Sequence, residues 1–425
     1  MNTTKQHNTV AIIMMIFLFG MISFVTNLAA PMGIIVKEQF NTSNFLGMLG
    51  NFANFAAYAC MGIPAGLLLQ RVGYKKTALI AVTVGFIGIG IQFLSGVAES
   101  FIIYLTGAFV TGFSMCMLNT VVNPMLNTMG GGGNRGNQLI QIGGSFNSIT
   151  GTTAPMLVGA LIGEVTKNTA ISNVNPVLFI AMGVFALVFI VLSLVHIPEP
   201  HLAQKTVEKT KSPYSAWSFQ HFVLGAIAIF IYVGIEVGIP GTMLLFLSDT
   251  TGAGGGLSAI TAGFVAGTYW LLMLIGRSIG VSIGHKVSSK MMLTIVSSVG
   301  ILLVLTAILS PINATVSIPV FTGKTFAMTQ VPICALFFVL TGLCTSVMWG
   351  GIFNLAVEGL GKYVTAASGI FMMMVCGGGI LPLLQNFVAD HASYMISYFV
   401  PIAGLAYLLF YALIGHKNVN KEIPV

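Results

Sequence analysis

One carboxylate stands inside a stretch that otherwise carries no charge: Glu236, in Tyr232-Val233-Gly234-Ile235-Glu236-Val237-Gly238-Ile239-Pro240. The other nine acids (Glu38, Glu99, Glu164, Glu199, Glu208, Asp249, Glu358, Asp390 and Glu422) fall at the ends of apolar runs. An acid buried among apolar residues is costly and therefore a functional candidate, here as a carrier of a proton. The same carboxyl can instead brace a neighbouring helix, and the residues alone leave both readings open. Glycines and proline beside it can break regular helix geometry.

The remaining interior polarity is mostly amide. Asn27, Asn51 and Asn54 lie in the first two apolar runs, and Asn119, Asn123 and Asn127 recur every four residues, on one helix face. Pro124 adds a kink there. Gln138, Gln141 and Asn147 follow, then Tyr269, Trp270, Trp349, Asn354, Gln385 and Asn386 in the second half. A single amide commonly bonds one helix to another. Many of them, with tryptophan faces, suit an uncharged polyhydroxylated ligand, because an amide both donates and accepts. A charged ligand would call for an embedded arginine or several acids, and none is expected in the interior.

The elements that position these residues follow from composition. The chain has 425 residues, 56% hydrophobic and 6% charged, with a mean hydropathy of +0.94. A soluble domain carries roughly a quarter charged residues, so lipid is the expected solvent. Runs near the roughly 20 residues that cross a bilayer point to helices, and they do not alternate as barrel strands would. Twelve helices are expected, at roughly 10–30, 47–69, 77–96, 101–127, 138–163, 176–197, 219–247, 258–284, 291–310, 331–356, 366–387 and 393–415. The fold class is thus an all-α membrane protein of twelve transmembrane helices in two six-helix bundles. The bundles span 1–197 and 218–425, joined by a polar cytoplasmic linker over 198–217. The first run has no small-residue cleavage site after it and reads as a helix, not a leader.

Charge placement supplies orientation. With both termini in the cytoplasm, fourteen of the seventeen cations (Arg71, Lys75, Lys76, Arg135 and Arg277 among them) face inward, and Lys37, Lys167 and Lys324 face outward. That is the positive-inside bias, so the net charge of +7 reports topology and not nucleic-acid binding. Cys60, Cys116, Cys334, Cys344 and Cys376 fall inside apolar runs and read as packing residues. Gly130–Gly133 lacks a following Gly-Lys-Ser/Thr and reads as a connector, not a phosphate cradle. The seven histidines lie near run ends or in loops, so neither an enzyme nor a metal or other cofactor is expected.

Two halves of six helices suggest the plan of the major facilitator superfamily, with a site at midplane between them. Gly66 to Lys76, carrying Arg71-Val72-Gly73-Tyr74-Lys75-Lys76, resembles that superfamily's loop between helices 2 and 3, with Gln70 where an aspartate is usual. Gly280 to Lys286 echoes it after helix 8. Further stretches resemble the fucose/glucose/galactose–proton symporter family of the superfamily. They include Asn119-Thr120-Val121-Val122-Asn123-Pro124, Ser145-Phe146-Asn147-Ser148, Tyr232 to Val237, Tyr269-Trp270 with Gly276-Arg277, Leu355 to Lys362, Gly377 to Leu383 and Val388-Ala389-Asp390-His391. The resemblance covers most of 10–415 and implies a hexose or 6-deoxyhexose importer driven by a cation gradient. It matches Asn147 and Asn27 to family asparagines in helices 5 and 1, and Glu236 to a helix 7 glutamate. The acids that fucose transporters carry in helices 1 and 4 fall at Ala30 and Asn119, and a helix 5 glutamine at Gly144.

The resulting expectation is a transporter of the bacterial inner membrane, importing glucose, galactose, mannose or a 6-deoxyhexose such as fucose. Asn27, Asn119, Asn123, Asn147, Trp270 and Asn354 would contact the sugar, with Glu236 carrying a proton. Expected partners are the sugar, a proton or sodium ion and the bilayer, with no nucleic acid; the chain is expected to work as a monomer. A drug or lipid exporter would need a wider, more apolar cavity. A sensor that binds sugar without moving it would show binding and no flux.

Overall fold

The protein is described from a computed structural model, covering all residues except 1, 41–42, 130–132, 163–170, 196, 198, 200–213, 284–286, 323–324, 361–362, 421 and 424–425. Most of the expected linker and of the Gly130–Gly133 connector therefore lies outside the described residues. Helices dominate because backbone amides in lipid must be satisfied within the segment.

The first set of helices is α1 (Asn2–Asn27), α2 (Ala29–Phe40), α3 (Asn44–Gly47), α4 (Leu49–Val72), α5 (Tyr74–Ala98), α6 (Phe101–Met129), α7 (Gly133–Ile162) and α8 (Asn175–Leu194). The second is α9 (Gln220–Ser248), α10 (Ala259–Ile283), α11 (Ser289–Leu309), α12 (Ile333–Thr345), α13 (Met348–Val357), α14 (Val364–Met374), α15 (Gly377–His391), α16 (Tyr394–Ser397) and α17 (Phe399–Phe410). Among the described residues, eleven helical segments are long and apolar enough to cross a membrane, with α1 and α2 running as one. The 30-residue α7, which is not among them, brings the set to twelve.

Two features depart from the expected plan. A β-hairpin, β1 (Thr315–Phe321) and β2 (Phe326–Pro332), stands between α11 and α12, paired antiparallel from Thr315↔Pro332 to Phe321↔Phe326. Its β-branched, alternating sequence is strand-forming, and it packs on α10, where the Phe321 amide donates to Thr268 Oγ1 at 3.4 Å. The second departure concerns helix breaks. The glycines and Pro240 around Glu236 do not interrupt α9, which is continuous from Gln220 to Ser248. Among the described residues, interruptions within a span fall instead at Leu28, at Ser346–Val347, at Val375–Cys376 and at Tyr398.

The two sets meet along two seams. In one, α7 packs on α10; Gly151 matters there because a Cβ would come within 2.9 Å of Ser23 Oγ and 3.3 Å of the Trp270 ring. In the other, α14 and α15 pack on α4, with Asn51 Nδ2 donating to Gly378 O at 2.8 Å. At one end of the molecule the sets are also bonded through side chains. The Asp390 carboxylate accepts the amides of Asn44 (2.9 Å) and Phe45 (2.7 Å), and Lys37 pairs with Asp249 at 3.4 Å. The Tyr394 hydroxyl lies 2.8 Å from Asp249 Oδ2 and 3.2 Å from Asn44 Oδ1.

Candidate functional site: a central cavity

A cavity of about 160 Å³ lies between the two seams, midway along the helices. One water needs about 10–15 Å³ on such a measure, so the space is of monosaccharide scale. The first set contributes Ser23, Thr26 and Asn27 from α1, Phe55 and Tyr58 from α4, Asn119 and Asn123 from α6, and Gly144 and Asn147 from α7. The second contributes Tyr232, Glu236 and Val237 from α9, Trp270 and Arg277 from α10, Trp349 from α13, and Ser346 and Val375 beside the helix breaks. Three of these breaks border the cavity, at Asn27, Ser346 and Val375; the break at Tyr398 does not. Irregular backbone at membrane depth is tolerated where it lines such a space, and it offers carbonyls to a ligand.

The amides are held by their nitrogens. Asn27 Nδ2 donates to Ser23 O (2.9 Å), Asn119 Nδ2 to the Tyr58 hydroxyl (2.9 Å), Asn123 Nδ2 to Asn119 O (3.0 Å) and Asn147 Nδ2 to Phe19 O (3.1 Å). Each side-chain oxygen is left as an acceptor, among the described residues. The Thr26 hydroxyl is buried at the wall with no partner. Trp270 is fixed edge-on to Tyr269, with ring centroids 5.5 Å apart, and Trp349 leans on Tyr232. Acceptors set by packed helices, with two indole faces, describe a pre-formed site for hydroxyl groups and C–H surfaces.

Of the expected site residues, Asn27, Asn119, Asn123, Asn147, Trp270 and Glu236 converge on the cavity. Asn354 does not. It is exposed on α13, outside the lining: Trp349 of that helix faces inward, and position 354 lies about 140° around the helix from it. Asn51, Asn54, Gln385 and Asn386 are buried in helix–helix contacts instead; Asn386 Nδ2 donates to Thr242 Oγ1 at 3.0 Å.

Arg277 overturns the expectation of an interior without arginine. Placed by the charge count at a cytoplasmic helix end, it lines the cavity with Nη2 3.6 Å from Glu236 Oε1. Its Nη1 donates to Ser148 Oγ at 2.8 Å and to the Gly144 carbonyl. Glu236 is therefore a paired carboxylate, with the Tyr232 side chain beside it and its main-chain oxygen accepting from the Tyr269 hydroxyl at 3.3 Å. The signal for Arg277 was its spacing: it follows Trp270 by seven residues, two helical turns along one face.

Comparison with known proteins agrees with this architecture. The Major Facilitator Superfamily profile matches residues 12–382. The chain belongs to that superfamily. A glucose/galactose transporter of Brucella abortus (strain 9-941) is 30% identical over 98% of this chain and 97% of its own length. The L-fucose-proton symporter of Escherichia coli (strain K12) is 21% identical over 89% of this chain and 85% of its own. Among solved structures, the superfamily transporter FucP in its outward conformation has the same fold, with a TM-score of 0.71 at 18% identity, covering 96% of this chain and 99% of its own. The resemblance to the sugar–proton symporter family is thus supported across the whole chain. The membership also fixes the class of the molecule as a multi-pass membrane transporter.

Proposed function

We propose that this protein imports a monosaccharide by alternating access across the bacterial inner membrane, with a proton as co-substrate. The observation that carries the reading is the cavity itself. Four asparagine oxygens, two indole faces and the Glu236–Arg277 pair, whose opposite charges offset one another, converge in a space of sugar size. The named relatives are a glucose/galactose transporter and an L-fucose-proton symporter, and both kinds of sugar are neutral polyols. Asn119 in place of the helix 4 acid favours glucose, galactose or mannose over fucose. Orientation follows from charge. Removing Arg277 from the fourteen inward cations leaves thirteen against three, so both termini are assigned to the cytoplasm. On that assignment the Asp390 and Asp249 bonds lie at the outer end and close it, and the two helix sets, 1–197 and 218–425, rock about the cavity as separate bundles. A single copy contains the whole site, in keeping with a monomer.

Purified protein in liposomes, offered labelled monosaccharides under an imposed pH or sodium gradient, tests this directly. Accumulation of a hexose driven by an inward proton gradient is expected, and Glu236→Gln should abolish accumulation while sparing exchange of sugar down its gradient. Sodium-driven uptake would reassign the ion, and binding without any flux would make the protein a sensor.

A further inference from the structure

Arg277 is unusual in the cavity because it bonds to both helix sets at once. Glu236 and Arg277 belong to α9 and α10, whereas Gly144 and Ser148 belong to α7 across the seam. A guanidinium has five N–H groups in a rigid fork, so one face can serve a carboxylate while another serves carbonyl and hydroxyl oxygens. Here Nη1 is committed to α7, and Nη2 stands 3.6 Å from Glu236, an ion-pair distance longer than a hydrogen bond. The room for it comes from position 144: a Cβ there would already lie 3.4 Å from Nη1, and a longer side chain would occupy the guanidinium's place. The surroundings supply no competing charge among the described residues. Facing the pair are Tyr232 from α9, Tyr269 and its partner Thr345 from α10 and α12, and Ser346 and Trp349 beyond them.

We propose that Arg277 is a positioning residue that makes the charge of Glu236 felt as contact between the two helix sets. An ionised Glu236 competes with α7 for the guanidinium and slackens the bridge. A neutral Glu236 surrenders the guanidinium to Gly144 and Ser148 and tightens it. The bridge lies two turns along α10 from Trp270 toward that helix's end at Ile283, so it acts on the closure of the end opposite the Asp390 bonds. This deepens the reading of Glu236 as proton carrier and rests on it, since proton exchange there would be the natural input to the bridge.

The test is a distance measurement on the full chain in liposomes. Spin labels go on Arg71→Cys and Lys290→Cys, exposed sites at the ends of α4 and α11, with the exposed Cys60 replaced by serine. Glu236→Gln is expected to shift the population toward the shorter distance by about threefold or more, the scale of one hydrogen bond strengthened. Adding Ser148→Ala should move it back. With Arg277→Lys, whose single ammonium cannot span both partners, Glu236→Gln should change nothing. An unmoved distribution in Glu236→Gln, or a shift that persists after Arg277→Lys, overturns the bridge. Proton-driven uptake by the same Glu236→Gln sample would instead sink the proton-carrier reading and leave the distances to judge the bridge alone.

Discussion

Removing the Asp390 carboxylate should unlatch the outer end of the transporter. Asp390 is on α15, and its two oxygens accept the first amides of α3, Asn44 N at 2.9 Å and Phe45 N at 2.7 Å. These bonds join the two helix sets, so they exist only while that end is closed. A charge-assisted bond to a carboxylate is worth about 1.5–3 kcal/mol when shielded. Asp390 is exposed, and solvent screening cuts each bond to about 1 kcal/mol or less. The pair therefore favours the closed end by about 1–2 kcal/mol, a factor of about 5–30 in population. Asp390→Ala removes it entirely, while Asp390→Asn keeps one acceptor and should fall between. The readout is a thiol at position 48, where methionine is buried between the sets at 1% exposure and packs on Gly241. In a Cys60→Ser background, Met48→Cys should react with an impermeant maleimide about 5–30 times faster once Asp390 is alanine. An unchanged rate, in protein that still transports, would show that these bonds decorate a closure set elsewhere.

The neighbouring pair predicts an acid response. Burial pushes the Asp249 carboxyl up, but the Thr251 hydroxyl and amide, the Tyr394 hydroxyl and Lys37 outweigh it, so the group is held below its ordinary range. A carboxyl depressed in the folded state contributes fully above its unfolded value of about 4 and loses its contribution as pH falls through the depressed value. The outer closure should thus survive mild acid, and Thr251→Val, which removes one of those bonds, should move its loss to higher pH; labelling at position 48 across a pH series from about 6 down to 3 decides this. In the interior, Gly377→Ala places a Cβ against the Phe230 carbonyl and 2.9 Å from Phe230 Cα, backbone that cannot give way. Overpacking of this kind costs about 1–3 kcal/mol, so the variant should unfold several degrees earlier in detergent, and an unshifted transition would mean that α15 can move away from α9 freely.

How far the sequence disclosed this site depends on which residues a linear pattern can locate. The helices were legible because lipid demands long apolar runs, and most expected boundaries fall within a few residues of the structure. Asn119 and Asn123 were legible as a face, since four-residue spacing fixes a shared direction. Asn354 and Arg277 failed in opposite senses, for one reason. Residue type and depth are readable along a chain, but the direction a side chain takes relative to a partner helix is not. Asn354 was interior by depth and turns outward. Arg277 was assigned to a helix end by its charge and turns inward, because α7 offers it a carbonyl where position 144 has no side chain. The displaced breaks have a related cause. A glycine or proline permits an interruption, yet α9 keeps its helix through Pro240, packed on α15, whereas Leu28, Val347 and Val375 interrupt theirs without a proline in any of the breaks. Three of the four breaks border the cavity, and a cavity is built by many helices together, so no single run discloses them. It follows that Glu236, the one residue whose type announced it, could not be understood alone: its chemistry is set by a cation on α10 that packing turns inward and that α7 shares.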